Sequence, residues 1–480
     1  MSFEKIELGE YIKVQGGYAY KSDDFNDDGD FPVIKIKNVR FGEVDYSEAS
    51  YISSELADET IDWKTNEGDI LISMTGSGPN APNSLVGRVA RIWEGEPDGW
   101  INQRVGRICV NEEIEIHPDF IFYLLSSFDT QYYLVSNSTG SANQANISGK
   151  LIESVPCPRV DYETSERIAD QLRVLDQKIH LNQQTNETLE AMAQAIFNSW
   201  FVDFDPVRAK IEAKFAGRNP NRAAMAAIAG ISSFAKASED KSLEMNWDEM
   251  ESALDQKLSS MTEEQRQQLI RTAQLFPDEL VESEIGEVPK GWEVNSFKEI
   301  CEDIQSGGTP KRSEPEYWGE GYPWLSSGEI RNRYLLSSEE QITEKGLTES
   351  NAKLWPSGST IIAMYGATAG VTAYLAKEMC ANQACCCLIP ADNSVFVFIS
   401  ALRASRELSG KSTGSAQQNL NKGIIERHKI LVPSDDIIEA FERIASHLIE
   451  KIISNEEQND SLSELRDTLL PKLISGDVGV

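Results

Sequence analysis

Residues 138–146 read STGSANQAN, and residues 412–420 read STGSAQQNL. One chain thus contains nearly the same loop twice. Other segments repeat around these two loops, and they do so in the same order. The matched segments are Gly16-Gly17 with Gly307-Gly308, FPVIKI (31–36) with YPWLSS (322–327), Gly68–Ile72 with Gly358–Ile362, Asn102-Gln103 with Asn382-Gln383, and Val155-Pro156 with Val432-Pro433. This ordered set of matches predicts a duplicated domain.

Short segments rich in β-branched residues lie within each copy. GDILISM and STIIAMYG are of this kind, LVGRVARIW alternates, and clusters of Gly, Pro, Asn and Ser separate them. Such segments predict strands joined by turns. Each copy is therefore expected to be a mixed α/β domain.

A different pattern follows each copy. From Ile168 to Trp200, and again from Phe441 to Leu473, mainly apolar positions recur at alternating steps of four and three residues. This spacing is typical of a coiled-coil seam and predicts two long helices.

Two asparagines lie in the middle of each seam, Asn182 and Asn186 in the first helix, Asn455 and Asn459 in the second. A buried Asn fixes helix register when it meets another Asn. An antiparallel pair would bring Asn182 to Asn459 and Asn186 to Asn455, but a parallel pair would also align Asn with Asn. The direction is therefore left open, as is the alternative that each helix packs on its own domain with solvated asparagines.

These patterns divide the chain into five parts. They are a first domain (1–160), a spacer helix (161–204), a helical linker or insert without a recognisable motif (205–285), a second domain (286–436), and a second spacer helix with the C-terminal tail (437–480).

The chain is strongly acidic, with 77 Asp and Glu against 45 Lys and Arg and a net charge of −32. Because proteins that bind DNA gain much of their affinity by neutralising phosphates, this acidity argues against strong independent DNA binding. It is also typical of salt-adapted surfaces and of DNA mimics, which charge alone does not distinguish. The chain shows neither a signal-like N-terminus nor an apolar run of membrane-spanning length, so we expect a cytoplasmic protein without membrane contact.

No catalytic or metal-binding pattern emerges from the sequence. SRELSGKS at 405–412 ends like a phosphate-binding loop, but Ser405 stands where the first glycine is needed. The four histidines have no metal or triad spacing. The adjacent residues Cys385, Cys386 and Cys387 are predicted to be small buried side chains on alternate faces of a strand. We therefore predict that the chain has no catalytic residues, no metal and no cofactor of its own.

Taken together, these features resemble the specificity subunit of type I restriction-modification enzymes. The resemblance rests on the GDIL-type strand, the Asn-Gln pair, the TGS-type loop and the Val-Pro before each helix, and on SWFVDFDPV, LFPDELVESEIGEVPKGWEV and LRDTLLPKLISGDV. It covers nearly the whole chain. It implies an α+β fold with two similar target recognition domains, separated by two long helices that form an antiparallel coiled coil, in a pseudo-two-fold arrangement.

The resemblance also implies a function and partners. Each domain is expected to recognise one half of a bipartite, asymmetric target in double-stranded DNA, while the helices fix the gap between the halves. Two methylation subunits dock on such a chain, and restriction subunits join the assembled complex. S-adenosylmethionine, ATP and Mg belong to those partners. A protein scaffold that does not bind DNA and an acidic DNA mimic are the alternative interpretations.

Unmatched basic or amide residues are the candidates for base recognition, because the two half-sites of such targets generally differ. Residues common to both copies are expected to build scaffold or contact phosphates. The candidates for DNA contact are Lys35, Lys37, Asn38, Arg40, Asn80, Arg88 and Arg104 in the first domain, and Lys311, Arg312, Arg331 and Arg333 in the second. For each of them a solvated surface charge is the alternative. Trp318 and Tyr317 are expected either to pack on a sugar or to fill the core.

Overall fold

The computed structural model describes residues 3–47, 49–78, 86–111, 115–141, 144–231, 246–411 and 420–476. The chain forms two compact units, one of Met1–Leu181 with Gln458–Val480 and the other of Asn182–Glu457. Within the described residues, no helix combines the length and the apolar character needed to cross a membrane.

The first unit is built on two main sheets. Its strands are β1 (Lys5–Glu7), β2 (Ile12–Gly16), β3 (Phe31–Ile34), β4 (Ser50–Ile52), β5 (Ile70–Ser73), β6 (Thr75–Gly76), β7 (Val89–Arg91), β8 (Trp100–Ile101), β9 (Val105–Val110), β10 (Thr139–Ser141), β11 (Gln144–Asn146) and β12 (Pro156–Pro158). Its helices are α1 (Ser54–Glu59), α2 (Pro118–Ser126), α3 (Phe128–Ser136), α4 (Gly149–Glu153) and the first half of α5 (Tyr162–Phe201). The main sheets have the strand orders β2-β9-β5-β7 and β4-β3-β8.

The second unit contains the second copy and the insert before it. Its strands are β13 (Leu280–Ser283), β14 (Gly286–Pro289), β15 (Glu293–Ser296), β16 (Cys301–Ser306), β17 (Trp318–Leu325), β18 (Tyr334–Leu335), β19 (Glu340–Ile342), β20 (Thr360–Ala363), β21 (Thr372–Leu375), β22 (Cys380–Ala381), β23 (Cys385–Pro390) and β24 (Lys429–Val432). Its helices are α6 (Asp205–Phe215), α7 (Pro220–Ile228), α8 (Trp247–Ser259), α9 (Glu263–Leu275), α10 (Phe297–Ile300), α11 (Glu344–Thr348), α12 (Ser394–Lys411), α13 (Lys422–Glu426) and most of α14 (Asp435–Ser475).

The two copies share one strand order. The sheet β16-β23-β20-β21-β18 repeats β2-β9-β5-β7 and adds one strand, and the sheet β19-β17-β22 repeats β4-β3-β8. The parallel pairing is also repeated, with Ile34 opposite Ile101 in the first copy and Leu325 opposite Ala381 in the second. The predicted duplication of an α+β domain is therefore confirmed.

One predicted match shifts by a residue. Gly17 N donates to Val105 O at 3.0 Å, and Gly307 N donates to Cys385 O at 3.1 Å, so Gly17 is equivalent to Gly307 rather than to Gly308. A Cβ on Gly17 would lie 2.1 Å from the carbonyl oxygen of Asn102, and one on Gly307 would lie 2.3 Å from that of Asn382. Because backbone approaches this closely, only glycine fits at both positions.

The first copy of the repeated loop forms a hairpin. Strands β10 and β11 pair, and β11 pairs in turn with β6, where Thr75 Oγ1 donates to Asn146 Oδ1 at 2.8 Å. Residues 142–143 of this copy and residues 412–419 of the second copy lie outside the described residues. In the first domain the loop is therefore part of a small sheet.

The two long helices run antiparallel in each unit. In the first unit, Ile168 and Leu172 of α5 share a core with Leu470 and Leu473 of α14. In the second unit, the other end of α5 meets the other end of α14, since the rings of Trp200 and Phe441 lie 6.1 Å apart. The start of α5 thus packs near the end of α14 and its end near the start of α14, which decides the direction that the sequence left open.

A polar contact replaces part of the predicted seam in the first unit. Leu175 is half-buried, whereas its neighbour Asp176 is buried and accepts a bond from Arg466 Nη1 at 2.9 Å. Arg466 occupies a predicted seam position, but its guanidinium binds the carboxylate of Asp176.

The described residues of the insert form helices α6 to α9 and strand β13, and the insert has a small core of its own. Helices α7, α8 and α9 pack around Met225, Met250, Leu254 and Leu269. The connection from α5 to α6 turns at Phe204, the non-glycine residue with a positive φ (58°) among those described. Phe204 is held there by the second unit's aromatic core, edge-on to Trp292.

The three adjacent cysteines lie in β23, a central strand between β16 and β20. Cys386 belongs to one buried cluster, and Cys385 and Cys387 belong to another. The predicted alternation between two faces is confirmed. Burial raises the pKa of Cys385 and Cys386 to about 12, so both are neutral thiols at physiological pH.

Candidate functional site

The turn that follows β3 gathers four of the predicted DNA-contacting residues. Lys35 N donates to Asn38 Oδ1 at 2.9 Å, and Asn38 Nδ2 donates to Asp45 O at 2.8 Å. Arg40 pairs with the Asp45 carboxylate at 3.2 Å. Asn38 is only 2% exposed. Its side-chain amide therefore links two backbone segments of the turn by hydrogen bonds.

Arg88 hydrogen-bonds to backbone carbonyl groups of the same turn. Its Nε donates to Val39 O at 2.8 Å and its Nη2 donates to Ile36 O at 2.7 Å, while the side chain is buried. Burial lowers the pKa of Arg88, and the nearby charge of Arg40 adds to this. The side chains of Asn38 and Arg88 are both buried and bonded to backbone. Base contact by Asn38 and Arg88 stays a prediction, and their burial argues for a role in holding the turn.

Lys35 lies beside an aromatic ring. Its Nζ is 3.4 Å from the centre of the Phe25 ring and donates to Ser50 Oγ at 2.9 Å. Burial lowers the pKa of Lys35, and the neighbouring charge of Lys37 lowers it further. Lys37 itself is exposed. The turn thus presents a lysine whose position is fixed by a ring and a hydroxyl.

The remaining candidates of the first domain lie elsewhere. Arg104 is exposed in the turn between β8 and β9, next to the matched residues Asn102 and Gln103, and its carbonyl accepts a bond from Met74 N at 2.8 Å. Asn80 lies outside the described residues. For Arg104 and Asn80, contact with DNA stays a prediction.

In the second domain, Arg312 is bound to a carboxylate and stacked on a ring. Its Nη1 and Nη2 donate to the two oxygens of Glu340 at 2.5 and 2.6 Å. Its guanidinium carbon lies 3.7 Å from the centre of the Trp318 ring and 5.1 Å from that of Trp324. The hydrogen bond raises the pKa of Arg312 and lowers that of Glu340. The arginine is therefore charged and held in one plane.

Lys311 is exposed, and its carbonyl accepts a bond from Trp318 Nε1 at 3.3 Å. Trp318 also packs edge-on against Trp324, with ring centres 5.0 Å apart. Tyr317 OH donates to Glu349 at 3.4 Å. Trp318 thus belongs to the packing around Arg312.

Arg331 and Arg333 point to different neighbours. Arg331 Nε donates to Gly328 O at 2.9 Å, a local contact within its own turn. Arg333 forms an ion pair with Glu190 of α5. The structure therefore ties Arg333 to the long helix, whereas Arg312 is bound at strand β19.

Sequence reasoning missed the groups that position these cations. Lys35 contacts Ser50 and Phe25, Arg40 contacts Asp45, and Arg312 contacts Glu340. The spacing of these residues along the chain does not reveal the pairs. The strand register contains the missing signal, because Ser50 pairs with Val33 and Glu340 pairs with Trp324 in equivalent ladders.

Comparison with known proteins then decides the family. A family model described as the type I restriction modification DNA specificity domain matches residues 2–191 and 289–464. The chain belongs to this family. The two matched segments contain both copies and most of both long helices, and residues 192–288 lie between them.

Relatives in the family include two specificity subunits. The HindI type I restriction enzyme specificity subunit of Haemophilus influenzae is 32% identical over 373 residues, which cover 75% of this chain and 77% of that protein. The MjaIX specificity subunit of Methanocaldococcus jannaschii is 24% identical over 371 residues, covering 75% of this chain and 69% of that protein. The crystal structure of a type I S subunit from M. genitalium aligns over 98% of this chain and 96% of its own, with 14% identity and a TM-score of 0.49.

Proposed function

We propose that the chain is the DNA sequence-recognition subunit of a type I restriction-modification complex, in which each domain recognises one half of a bipartite, asymmetric target. The observation that carries this proposal is a duplicated fold with different surface cations. The strand order is the same in both copies, yet the second copy has Ser326 and Gly328 at the positions of Lys35 and Lys37. Recognition of two different half-sites requires two domains that share a fold but carry different charged side chains on it.

The long helices are proposed to fix the gap between the half-sites. What supports this is the antiparallel packing of α5 and α14 found within each unit, together with the bond from Asn455 Nδ2 to Asn186 Oδ1 at 2.7 Å. A buried Asn pair favours one register of two helices. Asn182 and Asn459 belong to different units, and their pairing stays a prediction.

The chemistry is proposed to belong to partner subunits. Two methylation subunits dock on this chain and supply S-adenosylmethionine chemistry, and restriction subunits with ATP and Mg join the complex. The chain then acts without catalytic residues. Its net charge of −32 supports a division of labour in which the partners supply most of the phosphate neutralisation.

Domain exchange tests the proposal. Residues 1–160 are replaced by the corresponding domain of another family member, the complex is expressed with its methylation subunits, and the methylated sequences of the host genome are determined. We expect one half of the target to change and the other half and the gap to stay. The matched control replaces residues 286–436 and should change the other half. A change in both halves from either exchange, or in neither, would refute the assignment.

A binding experiment addresses the acidic mimic. Filter binding of duplex DNA is measured with the chain alone and with its methylation subunits. Specific binding that appears only in the complex supports the proposal, whereas a chain that competes with DNA for the methylation subunits supports mimicry.

A further inference from the structure

In both domains, the residue that accepts a hydrogen bond from a ring-stacked cation occupies the same position of the same strand. In the first domain, Ser50 of β4 pairs with Val33 of β3, and Val33 pairs on its other side with Trp100 of β8. In the second, Glu340 of β19 pairs with Trp324 of β17, which pairs on its other side with Cys380. Ser50 and Glu340 therefore occupy equivalent positions.

The cations bound at these positions come from different parts of the chain. Lys35 follows β3 and donates to Ser50, whereas Arg312 precedes β17 and donates to Glu340. Each cation also lies over a ring, Phe25 in one case and Trp318 in the other. The two sites have equivalent locations but contain different side chains. This pattern is expected of a specificity-determining contact, because sites that only build the common scaffold would keep the same residues in both domains.

The guanidinium of Arg312 retains a second binding edge. Glu340 accepts one hydrogen from Nη1 and one from Nη2, which leaves the edge formed by the Nε–H and the outer hydrogen of Nη2. Among the described residues no other acceptor bonds this guanidinium, and the side chain is 54% exposed. Two parallel donors of this kind match the O6 and N7 acceptors of guanine in the major groove.

Neighbouring side chains hold the Arg312 guanidinium in one orientation for such a contact. The Trp318 ring fixes the plane of the guanidinium, and the Glu340 carboxylate fixes its rotation within that plane. An arginine held in one orientation loses less conformational entropy when it binds. Lys35 differs, since an ammonium is a point charge with rotatable donors and discriminates less between acceptors.

We propose that these equivalent sites are specificity-determining contacts, that Arg312 binds a guanine of the second domain's half-site, and that Glu340 is its positioning residue. This rests on the proposed function and goes further, because it names a base, a residue and the group that orients it.

The test uses the full chain assembled with its methylation subunits. Binding and methylation are measured on duplexes in which each position of the half-site recognised by the second domain carries each of the four base pairs. For Arg312→Ala we expect the preference for guanine at one position to fall by about 5- to 150-fold, the equivalent of about 1 to 3 kcal/mol. Preferences at the other positions should stay.

Glu340 has its own readout. Glu340→Gln should weaken the preference at the same position, and Glu340→Asp should restore part of it, whereas a merely structural role would weaken all sequences alike. The matched control is the exposed pair of Lys290 and Glu279, joined at 2.7 Å in the same unit. Lys290→Ala and Glu279→Gln should leave every preference unchanged. Thermal unfolding identifies variants that fail to fold, and Arg312→Lys then supplies the milder substitution.

Three outcomes overturn the inference. Uniform weakening on all sequences, with the salt dependence reduced by about one phosphate contact, identifies a backbone contact instead. Unchanged binding and methylation show that the site is only surface packing. A lost preference in the half-site recognised by the first domain contradicts the domain assignment of Arg312. A wild-type complex without sequence preference would instead contradict the proposed function itself, so the two failures are distinguishable.

Discussion

The asparagine pair between α5 and α14 allows a sharp test of the helix packing. Asn455 Nδ2 donates to Asn186 Oδ1 at 2.7 Å, and Asn186 Nδ2 donates to Glu456 at 2.6 Å. Asn455 is 2% exposed and Asn186 is 7% exposed. Replacing either one with leucine leaves a buried polar group without its partner.

The expected magnitudes follow from that loss. Each single variant, Asn186→Leu or Asn455→Leu, should lower the free energy of unfolding of the second unit by about 1 to 3 kcal/mol, since a buried amide loses its bond. The double variant removes both polar groups and should be much less destabilising than the sum of the two, or even stabilising. The coupling energy should be about 1 to 3 kcal/mol.

Hydrogen exchange followed by mass spectrometry on peptides of α5 and α14 reports the local free energy, which suits a protein whose two units can unfold separately. Ser454→Leu, at an exposed neighbouring position of α14, is the control and should stay within about 0.5 kcal/mol of the wild type. Additivity of the two single variants within about 0.5 kcal/mol would show that the two amides share no bond, and the inferred register would then be wrong.

Three further predictions concern the backbone, the pH and the spacer. Gly17→Ala should destabilise the first unit by about 1 to 3 kcal/mol in thermal unfolding because its Cβ would meet the Asn102 carbonyl, whereas Gly16→Ala, with open space, should not. Burial raises the pKa of Glu96 from 4.5 to about 7, so its contribution to stability is complete below pH 4.5 and is lost as the pH rises through 7. Glu96→Gln should remove this loss in unfolding measured from pH 4 to 8, and the exposed Glu94→Gln should keep it. Lengthening both long helices by the same number of residues should widen the gap between methylated half-sites, and an unchanged gap would contradict the spacer role.

Several features followed from the sequence because they depend on local periodicity. The steps of four and three residues predicted α5 and α14, and the alternation in QACCCLIP predicted that Cys386 faces away from Cys385 and Cys387. The order of repeated segments predicted two domains of one topology. Such patterns are readable because a helix or strand repeats its contacts at a constant interval.

Only part of the candidate site could be predicted from the sequence, because the type of a residue does not reveal whether its side chain is buried. Arg88 and Asn38 have the side chains of base-contacting residues, but both are buried under the turn that presents Lys35. Asn80 lies outside the described residues, and the remaining candidates stay proposals.

The amino-acid sequence by itself determined that the chain has two similar domains and two long helices with asparagines at their centres. Only the tertiary structure decided that the helices run antiparallel, since Asn pairs with Asn in either direction and packing on each unit chooses between them. Only the tertiary structure brought Lys35 to Ser50 and Arg312 to Glu340. These partners are distant along the chain, and the register of neighbouring strands, which no local pattern specifies, determines which side chains meet.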